Sequence, residues 1–182
     1  MKTGKGRLIF VLFCGLFFLL GLMYQNWEAP VKEVVQPIEK EGIEAGMKAP
    51  DFSLPSLAGG EVTLSDYYGE TIILTFFTTW CSVCQEELPA LSQLYQEEKG
   101  TGIKMFVVNV AAQEVQGKDL ENFSRHFQLS MPVLIDKTGT SSQKYQVTGV
   151  PMTYIIDAEG KVEKRYFGPV PQEELKKHFR KN

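Results

Sequence analysis

The chain has 182 residues, 43% hydrophobic and 23% charged, with a formal net charge of −3 and three cysteines. That size allows one ordinary domain and a short accessory segment. The mild acidity excludes the basic surface that nucleic-acid binding needs. Three cysteines are too few for a disulfide-stapled framework, and His126 and His178 stand in no paired ligand spacing, which excludes a closed zinc site with its four ligands.

Lys2, Lys5 and Arg7 precede an unbroken apolar run from Leu8 to Tyr24. With the residues up to Trp27 it spans roughly 30 Å as a helix, about the hydrocarbon thickness of a bilayer. Basic residues before the run and Glu28 and Glu33 after it place the N-terminus inside. Residues 1–7 are thus expected to be a cytoplasmic tail and 8–27 a transmembrane anchor at the cell membrane, the rest being exported. A cleaved signal peptide fits less well, because the run is long and ends in MYQNWEAP without a small-x-small cleavage site. Cys14, in the middle of the run, is expected to face lipid or another helix. Residues 28–46 mix charges, prolines and glycines and read as a tether.

From Met47 onward the pattern is that of a folded domain, 47–182. Short alternating strands surround the hairpin signal Gly59-Gly60, and TIILTFFTT (71–79) is a β-rich apolar run suited to a strand buried on both faces. A helix with apolar residues Leu88, Leu91 and Leu94 follows at once, with a kink expected at Pro89. Further on come a buried strand (103–111), a helix (119–129), a short strand (132–136), a short helix (141–147), a hairpin turning at Glu159-Gly160 (152–168), and a last helix (171–180). Strands alternating with helices, closed by a hairpin and a helix, predict an α/β fold around a mixed sheet.

Cys81-Ser82-Val83-Cys84 stands where the buried strand gives way to the helix. A thiolate at a helix N-terminus meets unpaired N–H groups and the positive end of the helix dipole, which lower its pKa. Two intervening residues bring both sulfurs within bonding reach on the first turn. Cys81, at the outer position, is the expected nucleophile on a substrate disulfide, and Cys84, one turn in, resolves the mixed disulfide. A structural role is weaker, since so small a loop stabilises little.

TFFTTWCSVCQEELPAL resembles the active-site segment of thioredoxin-like proteins, with Trp80 before the first cysteine and Pro89 eight positions after it. TGVPMTYIID resembles the later segment of the same superfamily, in which a cis proline faces the disulfide. Residues 47–180 fit the redoxin branch, with an N-terminal strand extension and a helix–strand insertion at about 112–136. With the single anchor, the chain resembles the ResA-type, TlpA-like oxidoreductases of bacterial cytochrome c maturation. That resemblance implies a thioredoxin fold with a central mixed β-sheet and flanking helices. It implies that Val150 and Pro151 bind substrate beside Cys81, with a cis bond between them, and that Trp80 packs over the disulfide or touches substrate. It also implies that Glu87, one helical turn beyond Cys84, moves protons at the site, while Glu86 is solvated. Thr75 stands where many thioredoxins carry a buried aspartate, which strengthens the case for Glu87. Met152 stands where the family often has threonine.

The implied activity is extracytoplasmic thiol–disulfide exchange, reducing exported proteins such as apocytochrome c or a spore-envelope protein, with a CcdA-like membrane thiol carrier as electron donor and no cofactor or metal. Three alternatives stay open. A thiol oxidase would run the same chemistry backwards. A peroxidase would keep Thr78, three before Cys81, but lacks the proline that Leu74 replaces. A copper metallochaperone would use the soft thiolates, but His126 and His178, both expected to be solvated, are poorly placed to complete its site.

Overall fold

A computed structural model of the chain describes residues 4–27, 40–115 and 119–179. It divides into two units, Met1–Ile38 and Glu39–Asn182. In the first, α1 (Gly4–Trp27) is a single helix whose large apolar side chains, from Ile9 to Tyr24, are exposed. Among the described residues no helix is long and apolar enough to cross a membrane. The anchor expected over 8–27 is therefore a helix here and not an established span.

Residues 28–39 of the expected tether lie outside the described residues. Residues 40–46 behave differently from a tether. Ile43 is 3% exposed and belongs to the core, Gly46 N–H donates to the Val162 carbonyl at 2.8 Å, and Lys48 bridges Lys161. The folded unit thus takes in residues 40–46, because one isoleucine among charges is enough to dock an extended strap whose backbone finds partners.

The core of the second unit is a five-stranded sheet in the order β5 (Val133–Ile135), β4 (Ile103–Asn109), β3 (Thr71–Phe77), β6 (Met152–Ile156), β7 (Val162–Phe167). β3 runs parallel to β4 and antiparallel to β6, so the sheet is mixed. β3 is central, as its continuous apolar run requires, and its alternate side chains feed two separate cores. On one face Ile72, Leu74 and Phe76 join Phe52, Leu64, Tyr145 and Tyr154. On the other, Ile73 and Phe77 meet Cys84, Leu88 and Leu91 of α2 (Ser82–Glu97) and Leu175 of α5 (Gln172–Phe179).

The hairpin β1 (Ser53–Pro55) and β2 (Glu61–Thr63) forms a separate two-stranded ribbon. It turns at Gly59 and Gly60, at φ +97° and +76°, a region glycine enters without steric cost. The expected insertion is present as α3 (Leu120–His126) and β5, the latter parallel to β4 at the sheet edge. α3 starts one residue later than expected and ends three earlier: Asp119 caps it by accepting from the Asn122 N–H at 3.0 Å, and Gln128, at φ +51°, is non-helical. α4 (Thr140–Lys144) likewise stops before Gln146, at φ +48°. α2 is helical on both sides of Pro89. One expectation fails on the last helix: His178 is not solvated, its side chain being 10% exposed with Nδ1 3.2 Å from the Glu163 carboxylate. His126 is exposed as expected.

Candidate active site

β3 ends at Phe77, and Thr78, Thr79 and Trp80 carry the chain from the C-terminal end of that strand to Cys81, the N-cap of α2. The Cys81 backbone is extended at φ −78°, ψ 108°, and its Sγ accepts from the Cys84 N–H at 3.1 Å. A sulfur in that place satisfies one of the helix's otherwise unpaired donors, as an N-cap oxygen does elsewhere. Cys81 and Cys84 are joined as a disulfide, with Cα atoms 5.2 Å apart. Cys81 is 6% exposed and Cys84 fully buried, so an incoming thiol reaches the pair from the Cys81 side.

The loop before β6 closes that side. The Val150–Pro151 peptide bond is cis, as the resemblance implies, and the Val150 carbonyl oxygen lies 3.7 Å from Cys81 Sγ. The loop is held from behind: the Pro151 carbonyl accepts from the Gly168 N–H at 2.9 Å, and Val150 packs against both cores. Thr75, in place of the expected thioredoxin aspartate, pairs its hydroxyl with that of Thr153 at 2.9 Å in the buried sheet. The sheet beneath the cysteines therefore offers hydroxyls at this point and no carboxylate.

The buried acid comes from the helix instead. Glu87 is 8% exposed, with Oε1 accepting from the Val170 N–H at 2.7 Å and Oε2 without a hydrogen-bond partner. Burial pushes its carboxyl above the ordinary glutamate value, and the Val170 N–H offsets part of that rise. Glu86, one residue earlier, is exposed.

Trp80 is 48% exposed, a large apolar side chain facing solvent beside the disulfide, and its indole N–H donates to the Gln113 carbonyl at 2.9 Å. The next residue, Glu114, binds the neighbour of Trp80: its carboxylate accepts from the Thr79 N–H and the Thr79 hydroxyl, each at 2.6 Å, and from Asn109 Nδ2 at 2.6 Å. Gln85 Nε2 donates to the Thr79 carbonyl at 2.8 Å. Trp80, Cys81, Cys84, Val150 and Pro151 thus meet at the head of α2, while the Glu87 carboxyl, one turn further on, is bound to the Val170 N–H. Gln113, Glu114 and Asn109 are additions, and no local pattern announces them, because Gln113 and Glu114 reach Trp80 and Thr79 through tertiary hydrogen bonds and Asn109 joins through Glu114. Among the described residues no group of three or more His, Cys, Asp or Glu is placed to hold a metal ion.

A disulfide at a strand-to-helix junction, with its outer sulfur facing a cis-proline loop, defines a thiol–disulfide oxidoreductase of the thioredoxin fold. The chain belongs to the AhpC/TSA family, whose model matches residues 45–165. It is 36% identical over 141 residues, 78% of this chain and 79% of the relative, to the thiol-disulfide oxidoreductase ResA of Geobacillus thermodenitrificans (strain NG80-2). It is 32% identical over 163 residues, 88% of this chain and 92% of the relative, to the thioredoxin-like protein YneN of Bacillus subtilis (strain 168). The crystal structure of StoA from Bacillus subtilis is similar with a TM-score of 0.64 at 26% identity, covering 70% of this chain and 95% of that one.

Proposed function

We propose that the protein is an extracytoplasmic, membrane-anchored reductase of disulfides in exported proteins, apocytochrome c being the leading candidate. The observation that carries this reading is the asymmetry of the cysteine pair: Cys81 keeps 6% of its surface exposed beside the Val150 carbonyl, and Cys84 is fully buried. In the reduced protein the Cys81 thiolate attacks one sulfur of the substrate disulfide, and the other leaves as a thiolate that takes up a proton. Cys84, deprotonated by Glu87, then attacks Cys81 Sγ, releasing the second substrate thiol and forming the Cys81–Cys84 disulfide. Two electrons pass to the substrate, and a membrane thiol carrier of the CcdA type restores the pair. Trp80, Val150 and Pro151 receive the polypeptide on either side of the substrate cysteine. Their support is position: Trp80 immediately precedes the nucleophile, and the Val150 carbonyl faces its sulfur.

The anchor reading rests on the basic residues that precede an apolar helix, and on the exposure of that helix's large side chains. Outside the cytoplasm the surroundings are oxidising, so a reductant needs a low potential and a resupply of electrons.

The deciding experiment is the reduction potential of the Cys81–Cys84 pair in the full-length chain, by equilibration with dithiothreitol. A value more negative than about −230 mV is expected, on the thioredoxin side of the scale. A value near −120 mV overturns the direction and makes the protein a disulfide donor. Protease added to intact cells is expected to degrade the 40–179 unit, and full protection overturns the topology.

A further inference from the structure

Two consecutive residues of the segment after β4 hold two consecutive residues before the reactive cysteine. The Gln113 carbonyl takes the indole N–H of Trp80, and the Glu114 carboxylate takes both the N–H and the hydroxyl of Thr79. The clamp has a fixed base, since Asn109, 1% exposed at the end of β4, donates to the same carboxylate. Thr79 is itself 3% exposed, and its remaining backbone acceptor is taken by Gln85. A tryptophan left half in water would ordinarily sample several rotamers, and ordering it on binding costs free energy. Here its one polar atom and the backbone that carries it are fixed before any substrate arrives. Cys81 does not depend on the clamp in the same way: it is tied to α2 as the N-cap through the Cys84 N–H.

We propose that Glu114 is a positioning residue that holds Trp80 as a preformed platform for the polypeptide flanking the substrate disulfide. It acts on recognition of protein disulfides and leaves the sulfur chemistry of Cys81 alone. The inference rests on the reading of Trp80 as a substrate contact. It assigns a function to the start of the helix–strand insertion: the segment that leaves β4 for the insertion doubles as the brace of the active-site loop.

The test uses the full-length chain in detergent micelles, turned over with dithiothreitol as electron donor. Two probes are compared: a short cystine-bridged peptide, which is long enough to lie on Trp80, and hydroxyethyl disulfide, which reaches only the sulfur. Glu114→Ala is expected to raise the KM for the peptide about three- to tenfold, the cost of one or two lost hydrogen bonds. Its kcat, and the rate with hydroxyethyl disulfide, stay within about twofold, because a loss confined to substrate binding appears in KM. Glu114→Gln keeps the oxygen that accepts from the Thr79 N–H and Asn109 Nδ2 and sets its NH2 against the Thr79 hydroxyl, which can accept, so its KM falls between wild type and Glu114→Ala. Trp80→Ala is expected to raise the peptide KM by itself, and the double variant no further. If Trp80→Ala raises KM and neither Glu114 variant does, a change in Tm alone would mark Glu114 as structural and overturn the proposal. Equal slowing of both probes overturns it too, since Glu114 would then act on Cys81. If Trp80→Ala leaves KM unchanged, the failure lies in the reading of Trp80 as a substrate contact. Should Glu114→Ala not fold, Glu114→Gln, which preserves the volume and one acceptor, decides.

Discussion

Glu87 places a carboxyl on the buried face of α2, with one oxygen bound to the Val170 N–H at 2.7 Å and the other unmatched. Burial disfavours its ionised form, so its folded pKa lies above the ordinary value of 4.5. Between the unfolded and the raised folded value, the native state keeps a proton that the unfolded chain has released. The resulting stabilisation is therefore fully present below the unfolded pKa and is lost as pH rises through the folded pKa. Above that window the native protein carries a buried carboxylate with a single donor. Glu87→Gln retains an acceptor for the Val170 N–H and removes the charge, at the expense of an amide NH2 where Oε2 had no partner. An unmatched neutral polar group costs about 1–3 kcal/mol and a charged one more, so the exchange is expected to gain on the order of 1 kcal/mol at pH 8. For a unit of this size that is roughly 3–5 °C in Tm. Thermal unfolding of the full-length oxidised chain, followed by circular dichroism at pH 8 and pH 4, measures it. The glutamine variant should melt higher at pH 8 and lose that advantage at pH 4, where the native carboxyl is protonated. An equal difference at both pH values, or a wild type that melts higher at pH 8, refutes the reasoning.

Cys81→Ala is expected to abolish turnover, whereas Cys84→Ala keeps the attacking sulfur and accumulates a mixed disulfide, seen by mass spectrometry as the chain plus one substrate thiol. Leu88→Ala removes a fully buried side chain that seats α2 on the sheet beside Cys84, and should cost about 2–5 kcal/mol in urea unfolding. Tyr145→Phe deletes the fully buried hydroxyl that donates to the Pro50 carbonyl at 2.8 Å, with an expected loss of about 1–3 kcal/mol by the same measurement. Burial and the surrounding tyrosines and acids push the Tyr145 phenol well above its ordinary pKa. That bond should therefore persist in alkaline buffer, and the difference between the two proteins should be as large at pH 9 as at pH 7.

The chemistry was legible in the sequence wherever it was local. A β-rich apolar run followed without a break by helical periodicity places the strand-to-helix junction within a residue or two, and the cysteines fall on it. The sheet's mixed character follows from parallel crossovers capped by one hairpin, and the strand order β5-β4-β3-β6-β7 bears that out. Three features were not legible, each for a physical reason. The strap at 40–46 docks through Ile43 and backbone bonds to β7 and its turn, and one apolar residue among charges carries no period. His178 is largely covered and paired with Glu163, which lies on a different element. The clamp of Glu114 on Thr79 joins residues 35 apart in the chain; a glutamate in a polar loop reads as solvated until the fold supplies the three donors that hold it. Local periodicity reveals which residues share a face, and long-range hydrogen bonds reveal which faces meet.

Glu86 and Glu87 are the same chemical group one residue apart, and the helix register alone decides their fates. Cys84, Glu87, Leu88, Leu91 and Leu94 are all buried in α2, the three- and four-residue spacing of one helical face. Glu86, about 100° away around the helix, is in water. A solvated carboxylate has too low a pKa to exchange protons effectively with a thiol near neutrality. A buried one is raised toward the range where it can. On the proposed mechanism, the same burial that costs native stability above the folded pKa would make Glu87 the site's acid–base group, since the sheet offers the Thr75–Thr153 hydroxyl pair and no carboxylate at that point. On this reading, Glu87→Gln deletes the carboxyl at the site and leaves the solvated Glu86 unable to replace it. The resolving step should slow, while the reaction of Cys81 with a small disulfide keeps its rate.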